Sequence, residues 1–163
     1  MKNSTYIIDA SSLIEMKDKY PEETFPGVWK KMEELYKQGR LLAPFEVREE
    51  LLDDELKIWV KNKKKMFISP DDKQIKLVKE ILLNYPFLAK SEKLGGPNAD
   101  PWLIALAVKL KDENQDDLFC RNKYIIVTEE SKAKKTRIPA VAKNYGIDSI
   151  SLKELFKNEG WKF

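Results

Sequence analysis

The apolar positions of this chain fall into two kinds of run, and the way they alternate is the first sign of its architecture. Tyr6-Ile7-Ile8, Leu41-Leu42-Ala43, Met66-Phe67-Ile68 and Tyr124-Ile125-Ile126-Val127 are short apolar runs, the first of them rich in β-formers. They lack the apolar–polar alternation of a half-exposed strand, which suits strands covered on both faces. Between them the apolar spacing lengthens to that of a helix. One helix is expected from Leu13 to about Lys19. A second, Phe25 to Lys37, carries Val28, Met32, Leu35 and Tyr36 on one stripe and stops before Gly39. Pro44 opens a third, running to about Lys61, and residues 71–84 place Ile75, Val78, Ile81 and Leu82 at helical spacing. The segment Pro101 to Leu110 is apolar nearly all round, the mark of a helix inside a domain rather than on it. A short helix near Ala140 to Tyr145, a strand near Ile147 to Ile150 and a helix from Leu152 to Asn158 follow. Lys90 to Asn98, with Gly95-Gly96-Pro97, and Asp112 to Lys123 read as loops.

Strands alternating with helices predict one three-layer α/β/α domain over residues 1–163, with a mainly parallel sheet of about five strands. In such sheets ligands bind beyond the carboxyl ends of the strands. That rule directs attention to the residues just past the end of each strand.

Composition narrows the chemistry. The 163 residues include 30 basic and 27 acidic ones, a net charge of +3, too balanced to announce a nucleic-acid partner by itself. There is no histidine, which removes serine–histidine and cysteine–histidine catalysis and histidine zinc sites. Cys120 is the only cysteine, so no disulfide forms within the chain and no cysteine zinc cluster exists. Beside Phe119 it reads as a packed hydrophobe. Abundant Lys and Glu with few Gln resembles heat-adapted compositions. Met1 to Thr5 is polar and nothing approaches a membrane span, so a cytoplasmic protein is the expectation. What remains is carboxylate, hydroxyl and amine chemistry, or a metal held by oxygen.

Four acids stand where the sheet rule points. Asp9 closes the first strand, Glu50 lies in the helix after the second, Asp100 opens the apolar helix, and Glu130 follows Val127-Thr128. Taken singly, each has a plainer reading. Asp100 before Pro101 would serve as an N-cap. Asp9 could cap the next turn, although Ser11 and Ser12 are better placed. Glu46, Glu49 and Glu50 could all be charges on a solvated helix, and Glu130 a turn residue. Helical projection favours Glu50 over Glu49, because Glu50 flanks the stripe Val47, Leu51, Ile58 while Glu49 points away from it. Taken together, converging carboxylates resist ionisation unless a cation neutralises them. The natural cation for an all-oxygen site is Mg²⁺ or Mn²⁺. Such a site suits phosphodiester hydrolysis.

In order and setting these residues resemble the PIN-domain nucleases over nearly the whole chain. The family's D-x-[SN] at the first strand is matched by Asp9-Ala10-Ser11. Its helical acid before leucine is matched by Glu50-Leu51, and its acid opening a small-residue-rich helix by Asp100-Pro101-Trp102-Leu103-Ile104-Ala105-Leu106-Ala107. The family's T-x-D appears as Thr128-Glu129-Glu130. The fourth position is therefore a longer Glu with Glu129 beside it, which leaves the choice between one and two metal ions open. The ending Gly160-Trp161-Lys162-Phe163 is similar to that of a further PIN-like branch. The resemblance implies a Mg²⁺- or Mn²⁺-dependent endoribonuclease, often the toxin of a toxin–antitoxin pair, leaving a 5′-phosphate and a 3′-hydroxyl. It implies Asp9, Glu50 and Asp100 as metal ligands, and Glu130 as support for a second ion or a water. Ser11 and Thr128 would be hydroxyl supports. An antitoxin and a second copy of the chain are the partners it implies, besides RNA.

RNA binding needs cations near the crevice. Lys132, Lys134, Lys135 and Arg137 directly follow the fourth acid and are the substrate-binding candidates. Lys61 and Lys63 to Lys65 read as a solvated helix end. Trp29, Trp59, Trp102 and Trp161 read as packing residues, since none is interleaved with basic residues as a stacking platform. A phosphoacceptor receiver would need a second acid where Ser11 stands, a haloacid-dehalogenase phosphatase would need D-x-D, and dinucleotide binding a glycine-rich loop after the first strand. The remaining rival is a PIN-like module that binds RNA or protein without cleaving.

Overall fold

The computed structural model of the chain describes residues 3–89, 98–114 and 122–163. Within them runs one five-stranded sheet in which every pairing is parallel, in the order β3-β2-β1-β4-β5. The strands are β1 (Ser4–Ile8), β2 (Leu41–Pro44), β3 (Phe67–Ile68), β4 (Lys123–Val127) and β5 (Ser149–Ile150). The helices are α1 (Ala10–Lys19), α2 (Pro26–Lys37), α3 (Phe45–Glu50), α4 (Asp54–Lys61), α5 (Asp72–Asn84), α6 (Asp100–Glu113), α7 (Ile138–Asn144) and α8 (Leu152–Glu159). They cover both faces of the sheet, which makes the three-layer α/β/α arrangement expected from the pattern. No helix among the described residues is long and apolar enough to cross a membrane.

β1 is the central strand because its neighbours on both sides demand it. Tyr6 and Ile7 pair with Leu41 and Leu42 of β2, and Ser4 to Ile8 run in register with Lys123 to Val127 of β4. Tyr6, Ile7 and Ile8 are entirely buried, so the unalternated apolar run is the signature of a strand covered on both faces. Helix α6 is the inner helix expected, with Leu103 through Ala107 all fully buried. Its small residues Ala105 and Ala107 let it approach the sheet closely, and it contacts β1, β2 and β4.

Two elements differ from the sequence reading. The helix expected from Pro44 to Lys61 is two helices, broken after Glu50, where Leu51 adopts an extended conformation and Asp53 caps α4 by accepting from the Leu56 N–H. Ile58, placed by projection on the buried stripe, is therefore out of phase and lies in solvent, 73% exposed. Met66 belongs to a short 3₁₀ turn, Lys64–Met66, which leaves β3 only two residues long. The loop expected from Lys90 to Asn98 lies, save for Asn98, outside the described residues. So do Cys120 and residues 115–121 of the loop expected at Asp112 to Lys123, whose first two residues instead end α6.

Candidate active site

Asp9 leaves β1 at its carboxyl end and caps α1. One carboxylate oxygen accepts from the Ser12 N–H at 2.9 Å and from the Ser11 hydroxyl at 2.7 Å, and the other accepts from the Thr128 hydroxyl at the end of β4. The cap is thus Asp9 itself, and not Ser11 or Ser12, which fall in the first turn of the helix. The reason is geometric: the helix begins one residue after the strand ends, and only Asp9 has the extended conformation of a cap.

Asp9 is 6% exposed, and its three donors are all neutral. Burial pushes its carboxyl up to about 6, while the hydrogen bonds from Thr128, Ser12 and Ser11 hold it down and the negative charge of Glu130 adds to the rise. The hydroxyls are themselves fixed. Ser11 Oγ accepts from the Glu129 N–H at 3.1 Å, and Thr128 Oγ1 accepts from the Glu130 N–H at 3.2 Å. The loop after β4 is thereby fastened over Asp9 by the two residues that the motif reading assigned as supports.

Glu50 ends α3, and one of its carboxylate oxygens accepts from the Ala99 N–H at 2.6 Å. Ala99 is the residue before Asp100, so this bond brings the second acid to the start of the helix that carries the third. Ala99 is also the N-cap of α6, which corrects the simplest reading of Asp100: it is the first residue of the helix and not its cap. Its own N–H is satisfied by Asn98 Oδ1 at 3.2 Å, and the Asn98 amide donates to the Leu88 carbonyl. Glu50 is half-buried and Glu49 exposed, the order that the projection gave, although the helix it was projected along stops there.

The two adjacent glutamates after β4 separate cleanly. Glu129 reaches the amino end of α8 and accepts from the Leu152 N–H at 2.8 Å. Glu130 reaches the amino end of α7, accepts from the Ile138 N–H at 2.9 Å and acts electrostatically on Asp9. Of the pair, Glu130 belongs with Asp9. The amino ends of α1, α6, α7 and α8 all lie along the carboxyl edge of the sheet, each with an acid accepting from its backbone. The partial positive charge of those ends favours carboxylates there.

Among the described residues no three acids stand close enough together to share one metal ion. Glu130 acts on Asp9, and Glu50 is bonded to the residue before Asp100. The donor chemistry nevertheless fits a hard divalent cation: it is all oxygen, and Asp9 is a buried carboxylate surrounded by neutral donors, the kind of group that a cation returns to its charged form.

Lys132, Lys134, Lys135 and Arg137 occupy the exposed segment between Glu130 and α7. Lys132 pairs with Glu154 at 3.1 Å, across to α8. In the second basic cluster Lys61, Lys64 and Lys65 are exposed as read, and only Lys63 departs. Lys63 is buried, donates to the Trp59 carbonyl at 2.9 Å, pairs with Glu33 at 3.5 Å and lies 4.3 Å from the Trp59 ring centroid. The four tryptophans pack as expected: Trp29 and Trp59 meet edge to face, Trp161 stacks with Phe156, and Trp102 lies against the core.

Two acids escaped the sequence reading. Glu46 is not a solvated charge: one of its oxygens is buried without a hydrogen-bond partner among the described residues, and burial raises its carboxyl, with Glu49 adding to the rise. Its place one turn before Glu50 was the available signal. Glu159 is buried at the other end of the sheet and bound by Arg40 and Tyr6. No local pattern marks it.

The chain belongs to the family described as a domain of unknown function, DUF4411, whose model matches residues 6–163. No curated protein and no solved structure matches the chain.

Proposed function

We propose that this chain is a metal-dependent endoribonuclease of PIN-like type, hydrolysing RNA phosphodiester bonds at the carboxyl edge of its sheet. The observation that carries the reading is Asp9: a carboxylate buried at the end of the central strand, held at about 6, and met only by two hydroxyls and one backbone N–H. A structural buried acid is ordinarily paired with a cation. This one is arranged as if its cation came from outside.

Asp9, Glu50 and Asp100 would hold Mg²⁺ or Mn²⁺, with Glu130 in support. When bound, the ion neutralises charge on the phosphate and activates a water for attack. The protein's own contribution is to hold Asp9 immobile through Ser11 and Thr128, and to keep Glu50 at the start of α6 through the Ala99 N–H. Glu130, fixed by the amino end of α7, keeps negative charge facing Asp9 and so raises its demand for a cation. Lys132, Lys134, Lys135 and Arg137 would meet the RNA backbone beside these acids. An antitoxin protein and a second copy of the chain belong to the same proposal as partners.

The second reading, a PIN-like module that binds without cleaving, is favoured by one specific observation. Three of the four acids accept backbone N–H groups at helix starts, and no three of them stand together. RNA cleavage in Mg²⁺ or Mn²⁺ separates the two readings. The wild type should cut, while Asp9→Asn and Asp100→Asn lose at least about a hundredfold in rate with the fold intact, since each removes a ligand rather than a supporting group. No cutting of varied RNAs by the wild type with either metal would transfer the conclusion to the binding module.

A further inference from the structure

Beside the acids, on the outer flank of the sheet, a cleft of about 520 Å³ opens between α7 and β5. Pro139 and Ile147 give it an apolar floor, and Lys132, Lys143 and Asp148 stand around it. Ser149 completes it. The walls of the cleft are tied to the candidate site by hydrogen bonds. Glu130, which faces Asp9, accepts from the Ile138 N–H immediately before Pro139, and Thr128 donates its N–H to the Ile150 carbonyl immediately after Ser149.

We propose that this cleft receives one nucleotide of the RNA strand flanking the scissile phosphate, with its base on the Pro139–Ile147 floor and its phosphate between Lys132 and Lys143. The inference rests on the ribonuclease reading and adds to it a subsite. The chemistry of the lining selects the occupant. An apolar floor takes the face of a base, and the two lysines take a phosphate. Asp148 accepts from an exocyclic amine, which favours bases that carry one. Lys132 is partly engaged by Glu154, whereas Lys143 is exposed on α7. Lys143 is therefore the stronger handle of the two.

The test uses the full chain with a short single-stranded RNA and EDTA, so that binding is read without cleavage. Lys143→Glu should weaken binding roughly tenfold, and Lys79→Glu, the same charge reversal on exposed α5, less than about twofold. In nuclear magnetic resonance titrations the amides of Ala140, Ile147 and Ser149 should shift with the RNA, and shift less with an abasic strand of equal length. Equal losses in the two variants, or shifts that spare those amides, would overturn the subsite. The outcomes are separable from those for catalysis. Intact cleft shifts without metal-dependent cutting sink the nuclease reading and leave the cleft as a nucleotide site of the binding module, and cutting with binding untouched by Lys143→Glu sinks the subsite alone.

Discussion

Asp9 and Glu159 are both buried carboxylates on or beside the central strand, and they are treated in opposite ways. At the amino edge of the sheet, Glu159 accepts from the Arg40 guanidinium at 2.7 Å and from the Tyr6 hydroxyl at 2.6 Å. Arg40 is tied in turn to the Ser4 carbonyl, and Asn158 donates to the Tyr6 hydroxyl. The Tyr6 phenol is pushed up to about 12, by burial first and then by its bond to Glu159. At the carboxyl edge, Asp9 has hydroxyls and a backbone N–H and stays near 6. The contrast teaches what each edge is for. A buried acid with its own cation fastens the last helix to the sheet, and a buried acid given only neutral donors is what the proposed metal site would require.

The largest effect should come from breaking the paired edge. Arg40→Met leaves Glu159 without its guanidinium and should destabilise the fold by about 3–5 kcal/mol in urea unfolding, whereas Arg40→Met combined with Glu159→Gln should recover most of that loss. Equal losses in the single and double variants would make the cluster incidental.

Asp9 should respond with the opposite sign. A carboxyl raised from 3.8 to about 6 binds its proton more tightly in the folded state, so it favours folding at low pH. That contribution is full below about 4, fades as pH rises through 6, and leaves a neutral-pH penalty on the order of 3 kcal/mol. Asp9→Asn removes the charge but keeps an oxygen for the Ser12 N–H, and the two hydroxyls can turn to accept from the new amide. At pH 7.5 in EDTA the variant should therefore melt several degrees above wild type, with the gap closing toward pH 4. A gap of unchanged size at both pH values would show that Asp9 is not held as described.

The smallest effect separates the adjacent glutamates. Glu129→Ala should cost about 1 kcal/mol through the lost acceptor at the start of α8 and leave RNA cleavage within about twofold. Glu130→Ala, with a similar structural loss, should also reduce cleavage.

How legible these differences were in the sequence depended on their range. The parallel sheet was readable because an apolar run without alternation, such as Tyr6-Ile7-Ile8, has few other meanings. Glu50 was separable from Glu49 because Val47 and Leu51, three residues before it and one after, fix the local phase. The same projection failed at Ile58, since the break at Leu51 resets the phase and no proline or glycine announces it. Asp9 as cap was set by how abruptly strand gives way to helix, a matter of backbone geometry rather than side-chain preference. Contacts across long sequence separations were unreadable. Glu129 accepts from Leu152, Arg40 pairs with Glu159, and Lys63 owes its burial to Glu33 and Trp59. Each is decided by packing, and nothing adjacent in sequence records it.

The most direct test of the contrast between the two edges is a Mn²⁺ titration of wild type and Asp9→Asn, followed by calorimetry and by the paramagnetic resonance of the free ion. The wild type should bind Mn²⁺ and melt higher as Mn²⁺ is added, the stabilisation approaching about 2.7 kcal/mol at a hundredfold excess over Kd, while Asp9→Asn should bind at least about a hundredfold more weakly. Equal Mn²⁺ affinity in the two proteins, or none in either, would contradict that contrast.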